Sequence, residues 1–314
     1  MAILLTENDV DKLLSFKEAI EAVENVFRMM GEGTAINVPR RRVITREGVL
    51  HVLQGAVPGL GVAGLKTYLS SRRGTRFVVL LFDLSTGELG AIIEADRLGQ
   101  IRTGAASAVA TKFMKPTASV LGIVGSGVQA RAQFDALRES LKLDKVIIYS
   151  RTKEHATEFA KYVEKNGIDA RVADSYEETC RVDVLVTATN SKEPFIDGKW
   201  LPNDIHINAI GSNWGDRAEL MPSAVMRAKL IAVDDVDQAK NEAGDIIMAG
   251  TDAWRRVVPF SSIVIGTVKP SGGVTLFKSL GIAVEDLAVA KVIYEKARRM
   301  GTYPEFLGHH KFMA

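Results

Sequence analysis

The sequence predicts an α/β protein, with a doubly wound parallel sheet preceded by a mainly β domain. Three observations carry that expectation. From Val120 onward, short and nearly continuous apolar runs alternate with helical stretches, the pattern of strands buried on both faces. Between Val38 and Phe82 the runs are β-type and follow one another without helices. Ser119–Arg131, S-V-L-G-I-V-G-S-G-V-Q-A-R, reads as a strand, a glycine turn and the opening of a helix. A chain of 314 residues is long enough for two cores. The expected limits are 1–116 and 117–289, with the tail from about 290 to 314 packing back on the first domain.

Taken in order, Thr6 and Ser15 are placed to cap helices over Glu7–Leu14 and Phe16–Met30, the second burying Ile20, Val23, Val26, Phe27 and Met30. Strands are expected at Arg41–Ile44, Val49–Leu53, Gly64–Leu69, Phe77–Phe82 and Leu89–Ile93, the last two separated by the turn residues Asp83–Gly87. Ala95–Lys112 is a helix rich in small side chains, suited either to tight packing or to close approach of a cofactor. Past the glycine turn come a helix at Val128–Ser140, a strand at Lys145–Ser150, a helix at Glu154–Lys165 and a strand at Asp169–Val172. A helical stretch at Tyr176–Cys180 and strands at Val182–Thr187, His206–Ile210 and Lys229–Val233 complete the sheet. Lys269–Gly281 reads as a glycine-containing loop before the last helix, Val284–Met300.

Composition narrows the function classes. Hydrophobic content of 46%, charged content of 25% and a net charge of +2 are those of an ordinary globular enzyme and call for no nucleic acid or membrane partner. No apolar run reaches the roughly 20 residues of a membrane-spanning helix, and the N-terminus lacks a signal-peptide pattern. The single cysteine, Cys180, excludes an internal disulfide and a multi-cysteine metal site. No metal is expected, and a cytoplasmic location is.

The glycine turn is the first candidate site. Gly125 permits a tight turn, Gly127 leaves room for a pyrophosphate, and Ala130 is small enough for helix-on-strand packing. The N–H groups opening the helix at Val128 and Gln129 face the phosphates. Among alternating strands and helices this reads as the first βα turn of a Rossmann dinucleotide-binding domain. The next strand ends in Ser150-Arg151-Thr152, with no carboxylate to accept from a ribose 2′-hydroxyl. An arginine between two hydroxyls suits a 2′-phosphate, so NADP(H) is preferred and NAD(H) remains open. Thr187, Gly211, Ser212 and Asn213 end strands at the sheet's carboxyl edge and are expected to face the nicotinamide half. In the first domain, Arg40-Arg41-Arg42 and Lys66 resist explanation as packing. A lysine turned into a cleft there has a pKa low enough for proton transfer. His51 and His206 read as satisfied core residues, and His309-His310 as holding no metal site.

Together these motifs resemble the ornithine cyclodeaminase and mu-crystallin family. The resemblance rests on Pro39-Arg-Arg-Arg42, Gly64-Leu-Lys66, Arg102-Thr-Gly-Ala-Ala-Ser107, Gly125–Ala130, Ile210-Gly-Ser-Asn213 and Ser279–Asp286, and spans nearly the whole chain. It implies a homodimer in which the first domain supplies the interface and substrate groups. It implies that Lys66 contacts substrate and exchanges protons, and that an arginine of the 40–42 cluster binds the carboxylate. Arg41 fits that spacing best, with Arg40 and Arg42 left open. Arg102, Val128 and Gln129 match cofactor contacts, and Ser279 with Leu280 a loop closing over cofactor and substrate. Cyclodeaminases carry an aspartate where this chain has Asn213, and an amide cannot act as a general base. Asp216 could substitute only if its loop were rearranged. The expectation is therefore an NAD(P)H-dependent reductase of a small α-imino acid. Pyrroline-2-carboxylate leads and alanine dehydrogenation follows closely; ornithine cyclodeamination and a non-catalytic NADPH-binding protein are the alternatives.

Overall fold

The computed structural model describes residues 2–303 and 305–306; His309 and His310 lie outside the described residues. The chain divides into two compact units, Met1–Arg102 with Ile282–Ala314, and Thr103–Gly281. The sequence reading set these limits at 116/117 and 289/290; the first division instead falls inside the helix Asp96–Met114.

The first unit is built on a mixed seven-stranded sheet of order β15-β1-β6-β5-β4-β3-β2. Its strands are β1 (Ala2–Leu5), β2 (Ile36–Ile44), β3 (Gly48–Val57), β4 (Val62–Ser71), β5 (Gly74–Asp83), β6 (Leu89–Glu94) and β15 (Glu305–Phe306). Only β1 and β6 pair in parallel. Strand β1 was not anticipated, because four residues beside an N-cap show no period. The helices Glu7–Leu13 and Phe16–Gly31 form where expected. Both open with capping boxes, from Thr6 to Asp9 and from Ser15 to Glu18.

The last helix, Ala283–Met300, packs on β3, β4 and the helix Phe16–Gly31. Gly55 and Gly64, opposite each other in the β3–β4 register, make that approach possible. A Cβ on Gly64 would lie 2.8 Å from Leu287 Cδ2, and one on Gly55 3.0 Å from Val284 Cγ1. Period two in β4 puts Lys66 on the same face as Gly64, the face this helix covers.

The second unit holds an eight-stranded sheet of order β13-β12-β14-β11-β10-β7-β8-β9, with every described pairing parallel. The strands are β7 (Val120–Val124), β8 (Lys145–Tyr149), β9 (Asp169–Val172), β10 (Val184–Thr187), β11 (Ile205–Ala209), β12 (Leu230–Val233), β13 (Val257–Pro259) and β14 (Val274–Lys278). From β7 the chain winds outward through β8 and β9, then crosses back to β10. The turn after β7 therefore sits where strand order reverses, the place at which open α/β sheets bind ligands.

Two expectations fail here. The sheet is not complete at β12, because β13 and β14 follow. The segment Lys269–Gly281 is not a loop throughout, since Val274–Lys278 forms β14 between β11 and β12 with all five residues buried. Its lead-in, Gly272-Gly273 at φ +76° and +81°, has loop chemistry that masked the strand.

Candidate active site

The glycine turn has the geometry of a phosphate cradle. Gly125 has φ +123°, and a Cβ there would lie 2.5 Å from the carbonyl oxygen of Ala188, which follows β10. Only glycine lets the two strand ends approach that closely. A Cβ on Gly127 would meet nothing within 4 Å, so bare backbone faces open space where the helix Val128–Ser140 begins. Val128 is exposed and Gln129 half-buried beside it.

The turn opens on a cavity of about 300 Å³ whose walls include Ser126, Tyr149, Ser150, Arg151, His155 and Asn190. Ser126 and Ser150 join across its floor through their hydroxyls at 2.9 Å. Arg151 is exposed at its rim, and Thr152 caps the helix Lys153–Lys165. These features fit a dinucleotide: an unobstructed glycine turn at a helix N-terminus, and a cationic end to β8.

The carboxyl edge of β10 and β11 differs from expectation. Thr187 does not offer its hydroxyl to a ligand but donates it to Glu219 Oε2 at 2.7 Å. Gly211 donates its N–H to the same oxygen at 2.9 Å, and Thr189 donates both its N–H and its hydroxyl to Oε1, each at 2.7 Å. Glu219 is thus a buried acceptor of four hydrogen bonds that ties the two loops together, and burial pushes its carboxyl above the usual range. Beneath it Asp245 Oδ1 accepts from the N–H groups of Glu219 and Leu220, and Asp245 Oδ2 lies 2.8 Å from Lys278 Nζ. Ser212 is buried and Asn213 half-buried in the loop that Gly211 begins, while the side chain of Asp216 is exposed beside Arg217.

Ser279 and Leu280 also sit differently. Both side chains are buried. The Leu280 and Gly281 N–H groups donate to Asp234 Oδ2 at 2.6 and 2.7 Å, so the segment is pinned rather than poised as a cover. Asp234, the residue after β12, is that anchor. The small residues of the helix Asp96–Met114 serve packing at Gly104, where a Cβ would lie 2.5 Å from the Ala132 carbonyl oxygen.

The first unit gathers a second set of groups around Lys66. Its side chain is 4% exposed, and its Nζ lies 2.9 Å from Asp286 Oδ1. Arg102, expected to contact cofactor, instead donates from Nε to the same Asp286 oxygen at 2.8 Å and from Nη1 to Glu285 Oε2 at 3.0 Å. Burial lowers the Lys66 pKa to about 8; Asp286 opposes the fall while Arg102 and Arg40 add to it. Burial resists ionisation of Asp286, but Arg102 and Lys66 outweigh it and hold the carboxyl below its ordinary value.

Arg41 is corrected. Its side chain is exposed, whereas Arg40 is buried and close enough to act electrostatically on Lys66 and His51. The cause is a bulge: β2 pairs Val38 with Gln54 but Arg41 with Val52, leaving Pro39 and Arg40 opposite one residue. A bulge changes which face successive side chains take, so position along the 40–42 cluster alone does not say which arginine turns inward. Arg42 donates from Nε to His51 Nδ1 at 3.2 Å, which leaves the Nε2–H of a neutral His51 for Ser70 Oγ at 3.1 Å. Burial, with Arg42 and Arg40, holds that imidazole down to about 4. His51 and the equally buried His206, whose ring nitrogens meet Thr275 and Asn208, are satisfied core residues as expected.

Sequence reasoning gave no role to Asp286, Glu285 or Glu219, and left Arg40 as one of three open choices. An acid in the first turn of a helix already has an explanation in the helix dipole, so Glu285 and Asp286 carried no separate signal.

The ornithine cyclodeaminase/mu-crystallin family model matches residues 1–301. An alanine dehydrogenase of Archaeoglobus fulgidus is 35% identical over 310 residues, covering 94% of this chain and 95% of its own. The structure of a Thermococcus litoralis Δ1-pyrroline-2-carboxylate reductase in complex with NADH and L-proline superposes with a TM-score of 0.91 at 32% identity, over 97% of this chain and 100% of that one. An archaeal alanine dehydrogenase dimer with bound NAD also gives 0.91 at 32% identity, over 98% and 99% of the two chains. With a lysine buried among arginines, an unobstructed glycine turn at a helix N-terminus and these likenesses along its length, the chain belongs to the ornithine cyclodeaminase/mu-crystallin family.

Proposed function

We propose that this protein is a nicotinamide-dependent oxidoreductase that reduces the C=N bond of a small α-imino acid bearing one carboxylate, pyrroline-2-carboxylate first and the imine of pyruvate next. The observation that carries the reading is a lysine buried against Asp286, with two further cations, Arg102 and Arg40, acting on it. A buried lysine with two arginines about it favours a substrate that brings a carboxylate. Arg40 clamps the carboxylate, and Lys66 orients the imine and gives its nitrogen a proton. When bound, the reduced nicotinamide supplies the hydride.

NADP(H) is the preferred cofactor in this reading. The end of β8 carries Ser150, Arg151 and Thr152 with no carboxylate to bind a 2′-hydroxyl, and His155 adds a second basic side chain to the cavity wall. NAD(H) is accepted more weakly. The protein works as a homodimer, as one of its structural neighbours does. The exposed side chains of Val43, Leu50 and Leu69 lie opposite one another across β2, β3 and β4, forming an apolar row that a second copy would cover. Among the described residues no helix is long and apolar enough to cross a membrane. The buried thiol of Cys180, pushed up to about 12 chiefly by burial, needs no oxidising compartment and fits the cytoplasm.

The deciding experiment is steady-state oxidation of NADPH and NADH with pyrroline-2-carboxylate, piperideine-2-carboxylate and pyruvate plus ammonia. Turnover of at least one imine, faster with NADPH, is expected. Absence of oxidation with all three overturns the reading in favour of a binding protein. Ammonia released from ornithine without net cofactor change overturns it in favour of a cyclodeaminase.

A further inference from the structure

We propose that Asp286 is a positioning residue for the reduction, holding Lys66 as the ammonium that protonates the substrate nitrogen, and that Glu285 supports it by neutralising Arg102. This rests on the imine reductase reading. The groups facing Lys66 come from every element around it: Arg40 from β2, the Phe77 ring from β5 at 5.1 Å, Arg102 from the helix Asp96–Met114, and Asp286 from the last helix. Burial and both arginines favour the neutral amine, and Asp286 is the group that opposes them. Without it Lys66 would hold its proton less firmly.

The shared oxygen explains how Asp286 remains a counterion through turnover. As hydride reaches the imine carbon, the C=N π pair moves to nitrogen and takes a proton from Lys66 Nζ, leaving a neutral amine that solvent reprotonates. Arg102 stays on Asp286 Oδ1 at 2.8 Å throughout, so the carboxylate is never left alone and does not become the acid itself. Glu285, 3.0 Å from Arg102 Nη1, limits the repulsion that Arg102 exerts on Lys66.

Asp286→Asn tests this through pH rather than rate alone. The basic limb of kcat/KM for imine reduction should move down by about one pH unit or more. The acid limb for oxidation of the product amine, which needs neutral Lys66, should move down with it. At any one pH the two directions keep the ratio that the reaction's equilibrium sets, so the shift is read from where each limb falls in its own profile. Glu285→Gln should move both limbs the same way by less. A lower rate with unmoved limbs in both variants would reduce Asp286 to a packing role and overturn the proposal. The parent protein decides the matter independently of any variant's folding or any imine's turnover. The Lys66 13Cε resonance, assigned by its loss in Lys66→Arg, should titrate near pH 8, and titration below pH 7, which would leave the amine neutral where the enzyme works, overturns the inference. If no imine is reduced yet Lys66 titrates near 8, the proposed function has failed and the electrostatic arrangement has not.

Discussion

Each unit buries a lysine against an aspartate at nearly the same distance, 2.9 Å for Lys66 with Asp286 and 2.8 Å for Lys278 with Asp245. Their surroundings are opposite. Around Lys66 the partners include Arg102 and Arg40, so positive charge is in excess. Beside Lys278 the second neighbour is Glu219, so negative charge is. The second set is also closed by the chain itself, because Glu219 accepts four hydrogen bonds from the loops after β10 and β11. The set around Lys66 is the more cationic of the two; the set around Lys278 spends its carboxylates on hydroxyls and N–H groups of its own unit. A buried ion pair alone therefore says little about function, and the sign of the excess says more.

Lys66→Ala should sharpen the contrast most, lowering kcat for imine reduction by about 10²–10⁴-fold, the range for a lost general acid. Cofactor binding, followed by nicotinamide fluorescence, should remain near the parent value. Arg40→Ala should come next, raising KM for the imino acid by roughly 10–100-fold through loss of a charge-assisted contact. Arg41→Ala should leave KM within about twofold, and equal effects at the two positions would undo the assignment drawn from the bulge. Glu219→Gln should act on the other cluster. Its amide nitrogen would face donors, costing about 2 kcal/mol and lowering the melting temperature by about 4–8 °C. KM for cofactor should rise while the imine KM barely moves, because Thr189 lines the cofactor cavity. Arg151→Ala should have the smallest effect, narrowing the NADPH-over-NADH preference by about fivefold, since an exposed arginine is screened by solvent.

Legibility in the sequence followed the length and regularity of each element. Val120–Val124, Val128–Ser140 and Asp169–Val172 form over the expected residues, because apolar runs with clean turns leave no alternative register. The short helices between Val236 and Val264 have at most seven residues, too few to show a period. Strand β14 was hidden behind its diglycine, and β2 runs through Pro39, which normally ends a strand. At the site, Lys66 and the glycine turn were legible because each breaks a local pattern. Arg40 was not, since a bulge changes which of three identical side chains turns inward. Asp286 was not, since its partner lies 220 positions away. Thr187 and Gly211 were placed correctly at the sheet edge but given the wrong partner, because nothing local announces Glu219.

The division of the chain has a consequence for synthesis. The second unit is continuous, from Thr103 to Gly281, and everything it packs is available once that stretch has left the ribosome. The first unit is begun first and finished last, because its sheet waits for Ala283–Met300 to cover β3 and β4. The same helix delivers Glu285 and Asp286. A nascent chain lacking it has Lys66 on an uncovered strand without Asp286, so the lysine meets that partner only after the whole second unit has been made.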